Sequence, residues 1–182
     1  MAEDDRARLT RPVSDDDHQQ GPADAPVTLV EYGDYECPYC GEAHPIVQAI
    51  QRKMGDKIRF VFRNFPLTQI HPHAESAAEA AEAAAAQNAF WPYHDLLYEH
   101  QHDLSAHALI GYARDLRLSL DRFERSLEQH DYAESVRSDF MSGVRSGVNG
   151  TPTFFINGLR HDDSYDYDVL LAALERAASN QP

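Results

Sequence analysis

Basic residues are scarce in this sequence. It contains 16 lysine and arginine residues against 30 aspartate and glutamate residues, which gives a formal net charge of −14. Surfaces that bind nucleic acids and helices that bind anionic membranes both need clustered positive charge. We therefore expect no nucleic-acid partner, and we interpret the acidity as favouring solubility.

Long hydrophobic runs are also missing. No stretch approaches the ~18 consecutive apolar residues that indicate a membrane-spanning helix, so we expect no membrane insertion. The beginning, MAEDDRARLTRPVSDDDHQQGPADAP, lacks the basic start and apolar run of a secretory signal, which favours a cytoplasmic protein unless a leader was removed. Residues 1–22 are charged and poor in large apolar side chains, so they are expected to form a flexible or loosely docked tail.

Cysteine occurs only twice, as Cys37 and Cys40. Two thiols three positions apart cannot form the disulfide framework of a small secreted protein. A zinc finger needs four ligands, usually with a second C-x-x-C pair, and none is present. Three interpretations of the pair stay open: a redox couple, a zinc site completed by histidines such as His44, His71 and His73, and two inert buried thiols.

The pattern of apolar residues places the cysteines within a βαβ unit. The segment VTLVEY, residues 27–32, is rich in β-branched residues and predicts a buried strand. Helical spacing follows from Ala43 to Met54, with Pro45 inside the helix and a glycine after it. The segment KIRFVFRNFP, residues 57–66, alternates apolar side chains and predicts a second strand, and such crossovers are right-handed.

The rest of the chain divides into a helical block and a second group of strands. Residues 72–148 show helical spacing throughout, beginning with the alanine-rich HAESAAEAAEAAAAQ, whose glutamates are expected on a solvated face. Asn-Gly at 157–158 predicts a β-hairpin, and a final helix follows at 167–178. We predict one α/β domain from residues 23–66 and 149–182, with an all-helical insertion at 67–148.

The predicted structure gives the two cysteines different chemistry. A thiolate at a helix N-terminus faces unpaired N–H groups, so Cys37 is expected to be the nucleophile, with a pKa within ~3.5–7.5. Cys40, one turn further on, is placed to resolve a mixed disulfide. Pro38 suits the first helical position. Glu36 opposes this arrangement, because a carboxylate beside the thiolate raises the thiol pKa, but we expect the helix N-terminus to dominate.

The motifs EYGDYECPYC and GTPTFFING together resemble those of DsbA-like thiol–disulfide oxidoreductases of the thioredoxin superfamily. The resemblance covers roughly residues 22–178 and includes Pro45 and the helical insertion. It implies a thioredoxin fold, exchange of disulfides with protein or peptide thiols, an unidentified redox partner, and no metal or organic cofactor. It also implies a cis peptide bond between Thr151 and Pro152, with these two residues binding the substrate backbone.

Tyr39 separates this sequence from the strongly oxidising members, which have histidine at that position. A tyrosine stabilises the thiolate less than a protonated histidine does, so we expect a reduction potential below the ~−120 mV of a periplasmic oxidase. The Cys-Pro-Tyr-Cys sequence is similar to that of glutaredoxins. A glutathione-using reductase and a non-catalytic thioredoxin-fold binding module therefore remain alternative functions.

Several other residues receive plainer interpretations. Phe90, Trp91 and Tyr93 are expected to anchor the core of the insertion, and His44 to be a solvated helix histidine. Glu31 precedes the motif in a predicted strand, and the sequence does not place its side chain. One alternative is burial below Cys40, where Glu31 would assist deprotonation of that thiol as a buried acid does in thioredoxin-fold proteins.

Overall fold

The computed structural model describes residues 6–180, and within this range the chain forms a five-stranded sheet and seven α-helices. In chain order the elements are β1 (His18–Gln20), β2 (Val27–Gly33), α1 (Pro38–Met54), β3 (Ile58–Asn64), α2 (Ala74–Ala85), α3 (Phe90–Glu99), α4 (Ala106–Asp115), α5 (Leu120–Glu128), α6 (Ala133–Arg145), β4 (Thr153–Ile156), β5 (Leu159–His161) and α7 (Tyr167–Ser179). Among the described residues, none of the helices has the length and apolar character needed to cross a bilayer.

The sheet has the strand order β1-β3-β2-β4-β5. The central strands β2 and β3 are parallel and joined by α1, so the βαβ prediction is confirmed. β4 pairs antiparallel with β2 and continues into β5 through the predicted hairpin. Asn157 and Gly158 both have positive φ, at 48° and 81°, which is the backbone of a type I′ turn and favours an Asn-Gly pair.

Side chains from alternate positions of β2 enter two cores. Leu29 belongs to a large core that includes residues of α1, α7 and the inserted helices, whereas Val30 belongs to a smaller core on the opposite face. The smaller core is covered by residues of α6 and of the N-terminal segment, including Phe140 and Leu9. Because both faces of the sheet are covered, every residue of β2 and β3 is buried except Thr28 and Arg59, which are partly buried.

The five helices α2–α6 all lie between β3 and β4 and within the predicted insertion, whose boundaries at 67 and 148 stay a prediction. α2 packs against the other four helices of this block because its alanine side chains allow close approach. The expectation of a solvated glutamate face is wrong for two of its three glutamates. Glu79 and Glu82 are buried and bind His130 and His18, and only Glu75 is exposed.

The expectation of a flexible tail over residues 1–22 is wrong for residues 6–22, while residues 1–5 lie outside the described part of the chain. β1 pairs antiparallel with β3 at one side of the sheet. Near the other side, Arg8 forms a β-bridge with Leu159, and the Leu9 N–H donates a hydrogen bond to the Gly158 carbonyl. This N-terminal segment therefore crosses the sheet and is part of the domain.

A buried guanidinium fixes the N-terminal segment to the sheet. Arg63, in β3, is fully buried and forms two hydrogen bonds with the Asp17 carboxylate, at 2.8 and 2.9 Å. It also donates to the Tyr32 hydroxyl and to the carbonyl oxygens of Arg11 and Pro12. Burial alone would raise the pKa of Asp17, but the hydrogen bonds from Arg63 and the Ser14 N–H, together with the positive charges of Arg63 and Arg11, outweigh it and lower that pKa.

Removing one partner of this ion pair leaves the other charge without its shortest ion pair, although Arg11 still contacts Asp17 at 3.3 Å. We expect Arg63→Met and Asp17→Asn each to reduce the free energy of unfolding by about 3–5 kcal/mol. The double variant should lose less than the sum of the two, because neither charge is then left alone. Urea unfolding measures all three, and Arg114→Met, an exposed arginine of α4, should stay within about 0.5 kcal/mol of the parent. Strictly additive losses would contradict the pairing.

Candidate active site

The two cysteines occupy the beginning of α1. Cys37 is the residue before the helix, with extended backbone at φ −72° and ψ 121°, and Pro38 is the first helical residue. No side chain of residues 6–180 caps this helix end, so its N–H groups remain available to a charge at Cys37. Cys40 lies in the first turn and is fully buried, while Cys37 retains 3% of its exposure.

The environment separates the pKa values of the two thiols. Both cysteines are free and they are 3.9 Å apart. A hydrogen bond from Cys40, which outweighs the opposing effect of burial, lowers the pKa of Cys37 from its ordinary 9.0 to about 5, with help from the backbone N–H groups of Tyr39 and Cys40. Burial and the interaction with Cys37 raise the pKa of Cys40 well above 9.0. At neutral pH, Cys37 is therefore a thiolate and Cys40 a thiol.

The segment before β4 faces this pair. The Thr151–Pro152 peptide bond is cis, and Cys37 Sγ lies 3.4 Å from the Thr151 carbonyl oxygen, to which the protonated form of Cys37 donates a hydrogen bond. The Thr151 hydroxyl is buried and has no hydrogen-bond partner within the described residues. Pairing of Tyr32 with Thr153 brings this segment to the end of β2, from which the cysteine loop departs.

The acidic residues before Cys37 are bound to a second loop. The Glu36 carboxylate accepts hydrogen bonds from the His73 backbone N–H and from His73 Nδ1, at 2.6 and 2.8 Å. Asp34 accepts from the Leu67 N–H and from His71 Nδ1, at 2.9 and 2.7 Å. The two histidines therefore hold the cysteine loop in place, a role that the sequence pattern His-Pro-His did not reveal.

Gln101 was also missed by the sequence analysis. Its side-chain amide donates to the carbonyl oxygens of Tyr35 and Cys37, at 2.9 and 2.6 Å, and so supports the backbone on both sides of Glu36. A Cβ at Gly41 would collide with the side-chain amide of Gln101, so a larger residue directly after Cys40 would displace Gln101 from these two carbonyl groups. A lone glutamine 61 positions beyond the motif offered no sequence signal for this contact.

Glu31 is buried, at 2% exposure, and interacts electrostatically with both cysteines, while its Oε1 has no hydrogen-bond partner within the described residues. Burial, with a smaller contribution from the negative charge of Cys37, raises its pKa to about 8. Glu31 lines a cavity of about 350 Å³ together with His44 and His94. The expectation that His44 is solvated is wrong: it is 9% exposed and stacks on Tyr98, and burial lowers its pKa to about 4.

The remaining expectations concern the aromatic residues of the insertion and the zinc alternative. Phe90 and Tyr93 are buried in the large core, and Trp91 packs against it, as predicted.

Within residues 6–180, neither cysteine belongs to a group of three side chains close enough to share a metal ion. The structure thus gives no support to zinc bound by the Cys37–Cys40 pair.

Comparison with known proteins agrees with this geometry. Residues 13–176 match the family model described as Thioredoxin. The chain belongs to the thioredoxin family.

The fold resembles that of oxidised BdbD from Bacillus subtilis, with a TM-score of 0.85 and 26% identity, covering 96% of this chain and 100% of that one. The fold also resembles that of a thioredoxin-like oxidoreductase from Silicibacter pomeroyi, with a TM-score of 0.81 and 25% identity. This match covers 92% of the present chain and 95% of the other. The DsbA-like fold with its helical insertion is thereby confirmed.

Curated relatives of higher identity carry a different name. The chain is 51% identical over 170 residues to a protein named Na⁺/H⁺ antiporter NhaA 1 from Salinispora arenicola, and 45% identical over 159 residues to an NhaA of Herminiimonas arsenicoxydans. These matches cover 93% and 87% of this chain but only 26% and 25% of the relatives. The chain therefore spans about a quarter of the length of the curated relatives that it matches.

The dominant effect of Cys40 on the Cys37 thiolate can be tested with two substitutions. Cys40→Ser retains a hydrogen-bond donor, so the pKa of Cys37 should stay close to 5. Cys40→Ala removes the donor, and the pKa should rise by at least about one unit. Thiolate absorbance in the ultraviolet, followed against pH, gives both values. The same pKa in the two variants would show that Cys40 does not stabilise the thiolate.

Proposed function

We propose that this chain is a thiol–disulfide oxidoreductase that exchanges the Cys37–Cys40 disulfide or dithiol with protein substrates. The observation that carries the proposal is the separation of the two thiol pKa values, which leaves one thiolate and one protonated thiol 3.9 Å apart. Such a pair suits a nucleophile with a nearby resolving group. The oxidoreductases among the structural neighbours support the same chemistry.

Reduction of a substrate disulfide takes two steps. The Cys37 thiolate attacks a substrate disulfide, which forms a mixed disulfide and releases the first substrate sulfur as a thiolate. Cys40 then loses its proton and attacks Cys37 Sγ, which forms the Cys37–Cys40 disulfide and releases the second substrate thiolate. Two electrons pass from the cysteine pair to the substrate, and an unidentified redox partner restores the dithiol. The oxidising direction is the reverse of these steps.

Glu31 is proposed to accept the proton from Cys40. Its carboxylate interacts electrostatically with both cysteines, and with a pKa of about 8 it is close to the value that suits a general base near neutral pH. Glu31 lines the cavity and its Oε1 has no hydrogen-bond partner within the described residues, so this oxygen is available to receive a proton. Glu31 is thus proposed as the base for the resolving step.

We further propose that Thr151 and Pro152 bind the substrate backbone. The Thr151 carbonyl already lies within hydrogen-bond distance of Cys37 Sγ, so a peptide bound beside it would place its own sulfur near the nucleophile. Tyr39 is 59% exposed between the two cysteines and offers an aromatic surface next to the same position. Backbone recognition of this kind demands little of the substrate sequence.

A second candidate is a binding module that works as part of a membrane system, without turnover of its own. The observation that favours it is the likeness to proteins that are named Na⁺/H⁺ antiporters and are about four times longer than the matched region. A glutathione-using reductase is a further variant of the enzymatic proposal, and assays with and without glutathione separate the two. The cytoplasmic location expected from the sequence stays a prediction.

The proposed exchange makes the two cysteines distinguishable in one assay. With insulin as substrate, Cys37→Ser should abolish disulfide reduction, because the attacking thiolate is gone. Cys40→Ser should instead accumulate a mixed disulfide between Cys37 and the substrate, visible by non-reducing electrophoresis and mass spectrometry. Undiminished turnover in Cys37→Ser would refute the roles. If the parent chain showed neither disulfide reduction nor dithiol oxidation, the binding module would be the better proposal.

The role of Glu31 predicts a particular pH dependence for release of the mixed disulfide. The rate should rise as pH increases towards about 8, because the carboxylate becomes deprotonated and able to accept the Cys40 proton. In Glu31→Gln this rise should disappear and the rate near pH 8 should fall by about 100-fold or more. Glu42→Gln, an exposed position of α1, serves as the control and should keep the rise. If the release rate still rose with pH in Glu31→Gln, Glu31 would be excluded as the base.

A further inference from the structure

We propose that His44, His94 and Asp95 form a binding site for a divalent transition-metal ion of the Zn²⁺ class. The site lies in the cavity of about 350 Å³ beside α1 and α3. It is separate from the thiol pair and goes beyond the proposed exchange reaction. From the sequence, His44 is a candidate zinc ligand only together with the cysteines, whereas the fold brings it to two residues of the insertion.

The positions of the donor atoms carry the proposal. One ligand atom from each of the three residues lies within 4.8 Å of the other two. His44 Nε2 and Asp95 Oδ1 are 3.4 Å apart, and the two imidazole rings lie with their centroids 5.4 Å apart. Ligands bound tetrahedrally at ~2.0–2.1 Å are about 3.3 Å from one another. One ligand pair therefore already has the required spacing, and the others need only a small inward movement.

The two histidines also have nitrogen atoms free for a metal. His44 Nε2 is buried and has no hydrogen-bond partner within the described residues, since its approach to Asp95 lacks hydrogen-bond geometry. His94 is 2% exposed, and its Nδ1 lies 2.9 Å from the Tyr35 hydroxyl. When Nδ1–H donates to Tyr35 Oη, the lone pair of His94 Nε2 is left for an ion. A hydrogen bond of this kind to the second nitrogen is characteristic of metal-binding histidines.

The donor set selects the class of ion. Two imidazoles and one carboxylate suit Zn²⁺ and similar borderline ions, whereas Mg²⁺ and Ca²⁺ prefer oxygen ligands throughout. Three protein ligands leave a coordination position for water, and the adjoining cavity provides the space. Asp95 gives the site contact with solvent, because its side chain is 38% exposed. Gln48 donates to Asp95 Oδ1 at 3.4 Å and so helps to orient the carboxylate.

The test uses the full chain with any affinity tag removed, treated with a chelator, and in its oxidised form so that the cysteines cannot bind the ion. Titration with Zn²⁺ by calorimetry should show one equivalent bound per chain, and Co²⁺ should give visible absorption bands typical of nitrogen and oxygen ligands. His44→Ala and Asp95→Asn should each weaken Zn²⁺ binding at least tenfold. Both positions lie at the border of the cavity, and circular dichroism verifies that each variant is folded.

Two controls make the result specific. His107→Ala, an exposed histidine of α4, should bind Zn²⁺ like the parent chain. The double variant Cys37→Ser/Cys40→Ser should also retain the site. The proposal is overturned if the oxidised chain shows no saturable binding, if binding requires the free thiols, or if His44→Ala and Asp95→Asn bind as tightly as the parent.

Discussion

The pairing of β2 with β4 is the constraint on which the site depends. β2 ends at the loop that carries Cys37, and β4 begins directly after Pro152, so their antiparallel register places Thr151 beside a cysteine 114 positions earlier in the chain. A shift of one residue would turn the side chains of β4 to the opposite face of the sheet. Because Val30 and Phe155 are buried in the smaller core, such a shift would expose apolar surface, and the core therefore protects the geometry of the site.

The electrostatics of the site run against the charge of the whole chain. A protein with a formal charge of −14 lowers the pKa of one thiol to about 5, and it does so with local donors rather than with nearby cations. The carboxylates closest in sequence, Asp34 and Glu36, are held by hydrogen bonds from the loop at 67–73. Short-range hydrogen bonds at a helix end thus outweigh a diffuse negative charge that solvent and salt screen.

Much of the fold was predictable because its elements have strong local signals. The β-branched run of β2, the alanine-rich α2 and the Asn-Gly turn each act within a few residues, and all three predictions are confirmed. The N-terminal segment was misjudged because its polar composition resembles a tail, whereas Asp17 is bound by a buried arginine 46 positions away. His44, Glu79 and Glu82 were misjudged for a related reason, since their burial depends on partners from other elements. Polar contacts between distant residues leave no periodicity in a sequence.

The path of residues 8–20 across the sheet has a consequence for the behaviour of the chain in concentrated solution. β1 covers one side of β3, and the bridge from Arg8 to Leu159 lies against the short strand at the opposite side. An uncovered β3, with its sequence IRFVFRN, would present a row of unpaired backbone groups flanked by apolar side chains, which is a template for pairing with another molecule. By pairing with the strands at both sides of the sheet, the polar N-terminal segment thus makes edge-to-edge aggregation less favourable.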